Sequence, residues 1–600
     1  MNQPFNLLRK TGKKKLFFIL IFSVILIAGF LLRSYSFSDW LHFQLDQSRD
    51  AALLSYANEN GTENLPLLGP RAGGSFLRLG PIFYYFEFIS AKIFGFSPAS
   101  LAYVSLFFGT LTIPVFYFFV RNYFKQKFSL ALTVLIAASF YMVMYSRFAW
   151  NPNPLPFFGI LTFLATLKTI DSENKNKGLW LIILAISLAI AGQLHFLAFV
   201  GFPTAVFLIF VIKRPRIKLR YWIFAFLAIG LLYSPAIIND VMTGGKNAEQ
   251  FLEATLQKTA KADREERSLG EKFIRNIREH AFYSGVVLSG YTRIGLPKSE
   301  KINLTTFDFK CRHECQIKYL LGLGITSFIF FVLSIIILTK RYVQEKAVRK
   351  KNFLLVCMIW FFVSFFFFIP LSFDLAPRFF LVSAPLFFIF FGLILLEIEE
   401  KIPGRNKGLL LFVAVLILTS FNLYLLSQRF SQLKKAPFEA FNIGLNKIPK
   451  EHHRVTLQQQ NMIIDSIEKQ YKQDGLAVFI NSEPFYERAF FFHLDQKKIP
   501  RDGFDTNDQV YEKSNYYMIL PVFSNTKEEL KKVQDNLELK NTVSFGTLNL
   551  YHFKPINTPG IQKNPLEMIR EDEKTRNPLK ESGSTPQRYS WREFWDLLKK

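Results

Sequence analysis

The sequence predicts a multi-pass α-helical membrane protein of about eleven spans with a C-terminal extracytoplasmic α/β domain. Three observations carry that expectation. Half of the 600 residues are hydrophobic and 69 are Phe, far more than a soluble core uses. Apolar runs of bilayer length, about 17 to 25 residues, recur from residue 16 to about 427. Beyond 428 the composition changes to short strand-like runs separated by charged stretches.

The charge pattern agrees with this class. Lys and Arg number 73 against 47 Asp and Glu, a formal charge of +26, which in a soluble chain would suggest nucleic acid. Here the basic residues cluster in short gaps between apolar runs and at the chain ends, which is the positive-inside pattern of a protein among membrane lipids. No nucleic-acid partner is expected. Three Cys support neither a disulfide scaffold nor a multi-cysteine metal cluster.

In chain order, residues 1–15 form a basic cytoplasmic N-terminus, and the run Leu16 to Leu32 follows Arg9, Lys10 and Lys13 to Lys15. The run is longer than a signal-peptide core and lacks a small-x-small cleavage site, so it reads as an uncleaved first span. Further spans fall near 99–120, 128–145, 154–170, 178–194, 195–212, 221–238, 319–339, 353–373, 378–397 and 408–426. The run Pro81 to Phe96 contains Glu87 and Lys92, each costing about 2.5 to 3.5 kcal/mol at mid-membrane on insertion scales. Treating it as a non-spanning interfacial helix puts the basic clusters at 121–127, 175–177, 213–220, 340–351 and 401–407 on the side of the N-terminus; counting it as a span would invert all of them. The expected location is therefore the plasma membrane, N-terminus cytoplasmic. The domain at 16–427 would present outer loops at 34–98 and 239–318. Within the latter, Ala248 to Glu266 and Glu271 to His280 read as solvated helices. The outer α/β domain covers 428–555, with strands near Leu476–Ile480, Tyr516–Pro521 and Thr547–Phe553 and a helix near Lys527–Leu537. A polar, mostly disordered tail is expected at 556–600.

The residues with chemistry lie on the outer side of this topology. Asp46 and Asp50, at i and i+4, share a helix face and can act as a base and its positioning partner; alone, two carboxylates in an outer loop are usually only solvated. Arg49, Arg71 and Arg78 lie in the same gap, and Arg147 and Arg378 stand at outer ends of spans. Planar guanidinium forks suit phosphate oxygens, whereas arginines at span ends also simply snorkel. Arg378 follows Asp374 by four residues and can pair with it. His195 is an ionisable group at membrane depth, either functional or bonded to a nearby backbone group. Tyr84 and Tyr85 fit a substrate pocket or an interfacial aromatic belt. Cys311 and Cys315 suit a local disulfide better than zinc, since no fourth ligand is near. No P-loop or dinucleotide fingerprint occurs, so no cofactor is called for and the energy must arrive with the substrate. A divalent metal is not indicated.

The order of motifs resembles the C-type glycosyltransferases, nearest the protein O-mannosyltransferase-like and aminoarabinose transferase-like branch. The resemblance covers about 14–427. It rests on Leu45-Asp46-Gln47-Ser48-Arg49-Asp50, on Gly80-Pro81 followed by Tyr84-Tyr85, on Tyr145-Ser146-Arg147, on Gln193-x-His195 and on Pro377-Arg378-Phe379. It implies an inverting transfer from a polyprenyl-phosphate sugar donor to an acceptor (protein, lipid or polysaccharide) at the outer face. Asp46 matches the family's first acid, the usual Glu beside it is Gln47, and the late donor-phosphate Arg maps onto Arg378. The resemblance leaves open whether Asp50 replaces the missing carboxylate. The competing class is a transporter or flippase of lipid-linked glycans, which would place charges along a path through mid-membrane rather than on one side. A third reading, a binding module on a membrane anchor, needs far fewer spans.

Overall fold

The computed structural model describes residues 3–72, 76–256, 268–291, 317–370, 375–402, 408–443, 448, 451, 453–505, 510–524, 526–556, 565–575, 578–579 and 587–599. The first span is α1 (Gln3–Ser34), followed by two helices of the loop after it, α2 (Leu45–Asn60) and α3 (Ile82–Phe94). Then come α4 (Pro98–Val120), α5 (Gln126–Ala138), α6 (Phe140–Met144), α7 (Leu155–Ile170), α8 (Lys177–Leu194), α9 (Phe196–Lys213) and α10 (Leu219–Met242). The stretch after α10 holds α11 (Lys246–Leu256) and α12 (Leu269–Ser289), and the membrane part closes with α13 (Ile317–Gln344), α14 (Val348–Phe368), α15 (Ala384–Lys401) and α16 (Leu409–Lys435).

Among the described residues, eight helices are long and apolar enough to cross a membrane. The other three expected spans are helical but shorter or broken. One divides into α5 and α6 at Ser139, α7 has 16 residues, and the last begins as a short 3-10 turn, Pro377–Val382, before α15. The chain is a multi-pass α-helical membrane protein. Leu20, Val24, Ile27 and Leu31 on α1, Leu227 and Leu231 on α10 and Phe412 and Ile417 on α16 point outward, which suits lipid and not water. The 13 residues of α3 extend only about 20 Å, too short to span.

The break between α5 and α6 frees carbonyls that Arg33 collects. Its Nη1 donates to the carbonyls of Ala137 and Gly29, both at 2.8 Å, and its Nε to Ser146 Oγ at 3.3 Å. Asn422 on α16 accepts from the Phe140 amide at 2.7 Å and donates to the Leu288 carbonyl at 2.9 Å, so three chain segments meet at the break.

Helix α12 corrects the sequence expectation. It is not wholly solvated: Asn276 and Glu279 to Ser284 are buried, because the sequence turns apolar after His280 and that half packs against α13, α15 and α16.

The C-terminal domain begins with α17 (Leu457–Asp474), followed by β1 (Ala477–Ser482), α18 (Glu487–Gln496), β2 (Arg501–Gly503), β3 (Ser514–Pro521), α19 (Thr526–Lys531), β4 (Leu537–Phe545) and β5 (Leu548–Pro555). The sheet order is β2-β1-β3-β5-β4, parallel across the first three strands and antiparallel across the last three. Ile463, Ile467, Phe490 and Leu494 from α17 and α18 cover one face through Val478, Ile480 and Ile519. Ile569, from α20 (Pro565–Thr575), joins Phe479, Tyr516 and Met518 on the other. The expected disordered tail therefore needs correction: α20 packs on the sheet, and residues 587–599, including α21 (Trp591–Leu598), dock on the loop between α2 and α3.

Candidate functional site

Helix α2 starts where Gln44 adopts an extended conformation and its main-chain N–H donates to Gln47 Oε1 at 3.3 Å. Gln47 thus serves helix initiation. Asp46 and Asp50 share a face as the spacing requires, yet their surroundings differ. The Asp46 side chain is 45% exposed and that of Asp50 only 4%. Arg49 links them, with Nη1 3.1 Å from Asp46 Oδ1 and Nη2 2.7 Å from Asp50 Oδ1. The Tyr84 hydroxyl donates to Asp50 Oδ1 at 3.0 Å. Burial raises the Asp50 carboxyl above its ordinary range against the pull of Arg49.

Glu87 follows Tyr84 by one turn of α3 and is 1% exposed, and its Oε2 has no hydrogen-bond partner. Burial, and then the charge of Asp50, push its carboxyl well above the usual range. The sequence reading treated Glu87 only as an obstacle to spanning. Its sole sequence signal is a lone acid inside a short apolar helix.

The start of α3 is fixed by close contacts. Gln193 Oε1 accepts from the Ile82 amide at 3.4 Å, and Gln193 Nε2 donates to the Leu232 carbonyl at 3.0 Å. A Cβ on Gly80 would lie 2.2 Å from Gln193 Oε1, and one on Gly69 would lie 2.2 Å from the Gly80 carbonyl oxygen, so both positions need glycine. Tyr85 donates to the Pro66 carbonyl at 3.0 Å, which gives it a structural partner in place of an open pocket wall. Arg71 and Arg78 face each other across a small bridge; Arg71 is exposed and Arg78 is buried.

Arg378 is half-buried, with its guanidinium 5.4 Å from the Trp150 ring and 5.0 Å from that of Phe379. Asp374, its expected partner, lies outside the described residues, as do Cys311 and Cys315. No other carboxylate pairs with Arg378 among the described residues. His195 Nδ1 accepts from the Leu197 amide at 3.1 Å, capping α9, and its ring meets Phe379 edge-on at 5.7 Å. A neutral imidazole accepting at Nδ1 carries its proton on Nε2, so beside Arg378 it presents a second donor.

Arg147 is placed differently. Its Nη1 donates to the Arg33 carbonyl at 2.7 Å and its Nη2 to that of Tyr35 at 2.8 Å, so it caps the end of α1 and its donors face main-chain carbonyls.

The C-terminal domain holds the loop between α1 and α2 in place. Leu45 N donates to the Phe485 carbonyl at 3.0 Å, Leu457 N to that of Leu41 at 3.1 Å, and Gln460 Nε2 to that of Phe43 at 2.8 Å. Glu451 is buried among Arg429 (2.6 and 2.7 Å), Arg454 and His42 (3.2 Å), and the His42 ring lies edge-on to Phe148 at 5.2 Å. Sequence reading missed this cluster, because its members are spread over the loop after α1, α16 and the stretch before α17. Between α1, α3 and α4 lies an apolar cavity of about 1110 Å³ lined by Phe37, Phe86, Phe94, Tyr103 and Phe108, with Asp39 among its few polar groups.

The model of the family described as Dolichyl-phosphate-mannose-protein mannosyltransferase matches residues 79–238, the stretch from the start of α3 to α10. No curated protein matches the sequence. Among solved structures, the chain is similar to ArnT from Cupriavidus metallidurans bound to undecaprenyl phosphate, at 11% identity and a TM-score of 0.49, over 89% of this chain and 97% of that one. It is also similar to the archaeal oligosaccharyltransferase AglB from Archaeoglobus fulgidus, solved with an inhibitory peptide and a dolichol-phosphate, at 14% identity and a TM-score of 0.44, over 85% of this chain and 70% of that one. The family match falls within the region in which the order of motifs resembles C-type glycosyltransferases.

Proposed function

We propose that this chain is a C-type membrane glycosyltransferase that moves a sugar from a polyprenyl-phosphate donor to an acceptor at the outer face, with inversion. The observation that carries the proposal is the division of labour in α2. One carboxylate, Asp46, is open to solvent and oriented by Arg49, while Asp50 holds that arginine from inside the protein. The match of residues 79–238 to a family named for a lipid-phosphate mannose donor supports the donor class.

In this reading Asp46 takes the proton of the acceptor hydroxyl as its oxygen attacks the anomeric carbon. The bond from that carbon to the phosphate oxygen breaks, and the lipid phosphate leaves with the electron pair. Arg378, with the Nε2–H of His195 beside it, stabilises the charge on the leaving phosphate. Arg147 holds α1 and supports the site from behind. The apolar cavity beside α3 suits a lipid tail at the level of the outer leaflet. The test is transfer from a synthetic polyprenyl-phosphate sugar by the purified protein, with mass spectrometry of outer-surface glycans from a deletion strain to identify sugar and acceptor. Transfer is expected from the lipid-phosphate donor; an unchanged glycan profile together with an inert purified protein refutes the reading.

A further inference from the structure

Residues 587–599 cross back over the loop that follows α1 and join three segments, the 65–67 stretch, α3 and α10. The Leu67 amide donates to the Tyr589 carbonyl at 2.8 Å and the Trp591 amide to the Leu65 carbonyl at 3.2 Å, so Pro66 and Ser590 stand opposite each other as an antiparallel pair. Asn239, on α10, uses both atoms of its amide: Nδ2 donates to the Gln587 carbonyl at 3.1 Å and Oδ1 accepts from the Tyr589 amide at 2.8 Å. Trp591 Nε1 donates at 3.0 Å to the Tyr85 hydroxyl, which itself donates to the Pro66 carbonyl. Between these bonds Arg588 is 2% exposed and lies within electrostatic reach of Tyr84. Buried main-chain bonds and a buried cation distinguish this contact from a loosely resting tail. The exposed ion pair of Arg592 with Glu63, at 2.6 Å, adds little at the rim.

We infer that residues 587–599 form a positioning strap for the transfer site, holding the 65–67 loop and the first turn of α3 so that Tyr84 meets Asp50. The inference rests on the transferase reading. The strap touches neither Asp46 nor Arg378 in any described hydrogen bond or ion pair. Its loss therefore acts on the orientation of the Asp50–Arg49–Asp46 chain and leaves donor binding alone.

Two full-length variants and one cross-link test this. Asn239→Ala removes two strap bonds and Trp591→Phe removes the donor to Tyr85. Each is expected to lower kcat about tenfold while the donor KM stays unchanged. In Pro66→Cys/Ser590→Cys the paired positions flank no direct hydrogen bond of their own, the narrow kind of antiparallel pair, about 4.5 Å between Cα atoms and within disulfide reach. The oxidised form is expected to turn over as fast as its reduced form, with wild type given the same oxidant as baseline. An inactive oxidised form that reductant restores would mean that the segment must open during turnover, which overturns the strap. Wild-type kcat in both Asn239→Ala and Trp591→Phe overturns it as well. Absence of transfer by wild type in the same assay rejects the transferase reading instead.

Discussion

The Tyr84 phenol and the Asp50 carboxylate are joined by a 3.0 Å hydrogen bond in a buried setting, to the same oxygen that Arg49 engages. Asp50 is thus an anchor between α2 and α3. Tyr84→Phe leaves the buried oxygen with one donor fewer, a loss of about 1.5 to 3 kcal/mol for a bond to a charged group. The expected outcome is a lower melting temperature in detergent with a kcat reduced about tenfold or less, read by thermal unfolding and initial rates. A variant as stable as wild type would mean that the bond contributes nothing.

The two aspartates are expected to fail in different ways. Asp46→Asn keeps the half-exposed helix start and removes the proposed base, so kcat is expected to fall by about 10² to 10⁴ while the melting temperature stays near that of wild type. Asp50→Asn withdraws the charge that faces Arg49 in the interior, so stability falls first. Equal loss of kcat in both, with equal stability, would refute the assignment of base and anchor.

Much of this was legible in the sequence because it is local. The i, i+4 spacing of Asp46 and Asp50, the apolar runs and the glycines at 69 and 80 each leave a mark within a few residues. The unequal burial of the two acids was not legible, since it depends on Tyr84 more than thirty residues away. Arg147 looked like a phosphate ligand because its type and outer position fit one. Only packing shows that the end of α1 presents it with carbonyls. Strand β4 is an edge strand whose central residues are mostly exposed, so it lacks the continuous apolar run that marks β3. The segment at 587–599 is a short amphipathic stretch at the end of a polar tail, and its order comes from partners around Leu65, Tyr85 and Asn239.

Glu87 predicts a pH dependence of stability. Its folded-state pKa is raised, first by burial, so the stability contributed by its proton is full below the unfolded value of about 4.3 and is lost as pH rises through the raised folded value. Glu87→Gln keeps the shape and cannot ionise. Melting temperatures across pH 4 to 9 should therefore fall more steeply with rising pH in wild type than in the variant. Parallel curves would show that the Glu87 carboxyl has the same pKa in the folded and unfolded chain.

Arg378 stacks on Trp150 and Phe379 and has no described carboxylate partner, an arrangement that keeps its fork available. Arg378→Lys keeps the charge but loses the planar bidentate geometry, and Arg378→Ala loses both. The donor KM should rise about tenfold in the first and more in the second, with kcat also falling as the leaving phosphate loses its cation. Binding of polyprenyl phosphate measured on the purified variants checks this, and unchanged affinity in Arg378→Ala would assign the phosphate to another group.

Glu451 is a carboxylate that answers for two buried guanidiniums, Arg429 at 2.6 Å and Arg454, and it also meets His42 from the loop between α1 and α2. Burial alone would raise its pKa, but Arg429 and then His42 overcome that and hold it below the ordinary carboxylate range. A depressed folded pKa means stability that is present above the unfolded value, about 4.3, and lost as pH falls through the folded one. Glu451→Gln leaves both arginines buried without a counter-charge, a cost of about 3 to 5 kcal/mol. The variant should unfold at a lower temperature at pH 7, and the difference from wild type should shrink as pH falls below about 4. Because Arg429 lies on α16 and His42 precedes α2, the same change should loosen the C-terminal domain from the transfer site and lower kcat along with stability. Replacing Arg429, Arg454 and Glu451 together by apolar residues of similar volume separates the two effects: recovered stability with kcat still low would show that the charges orient the site, whereas recovery of both would leave them a purely structural role.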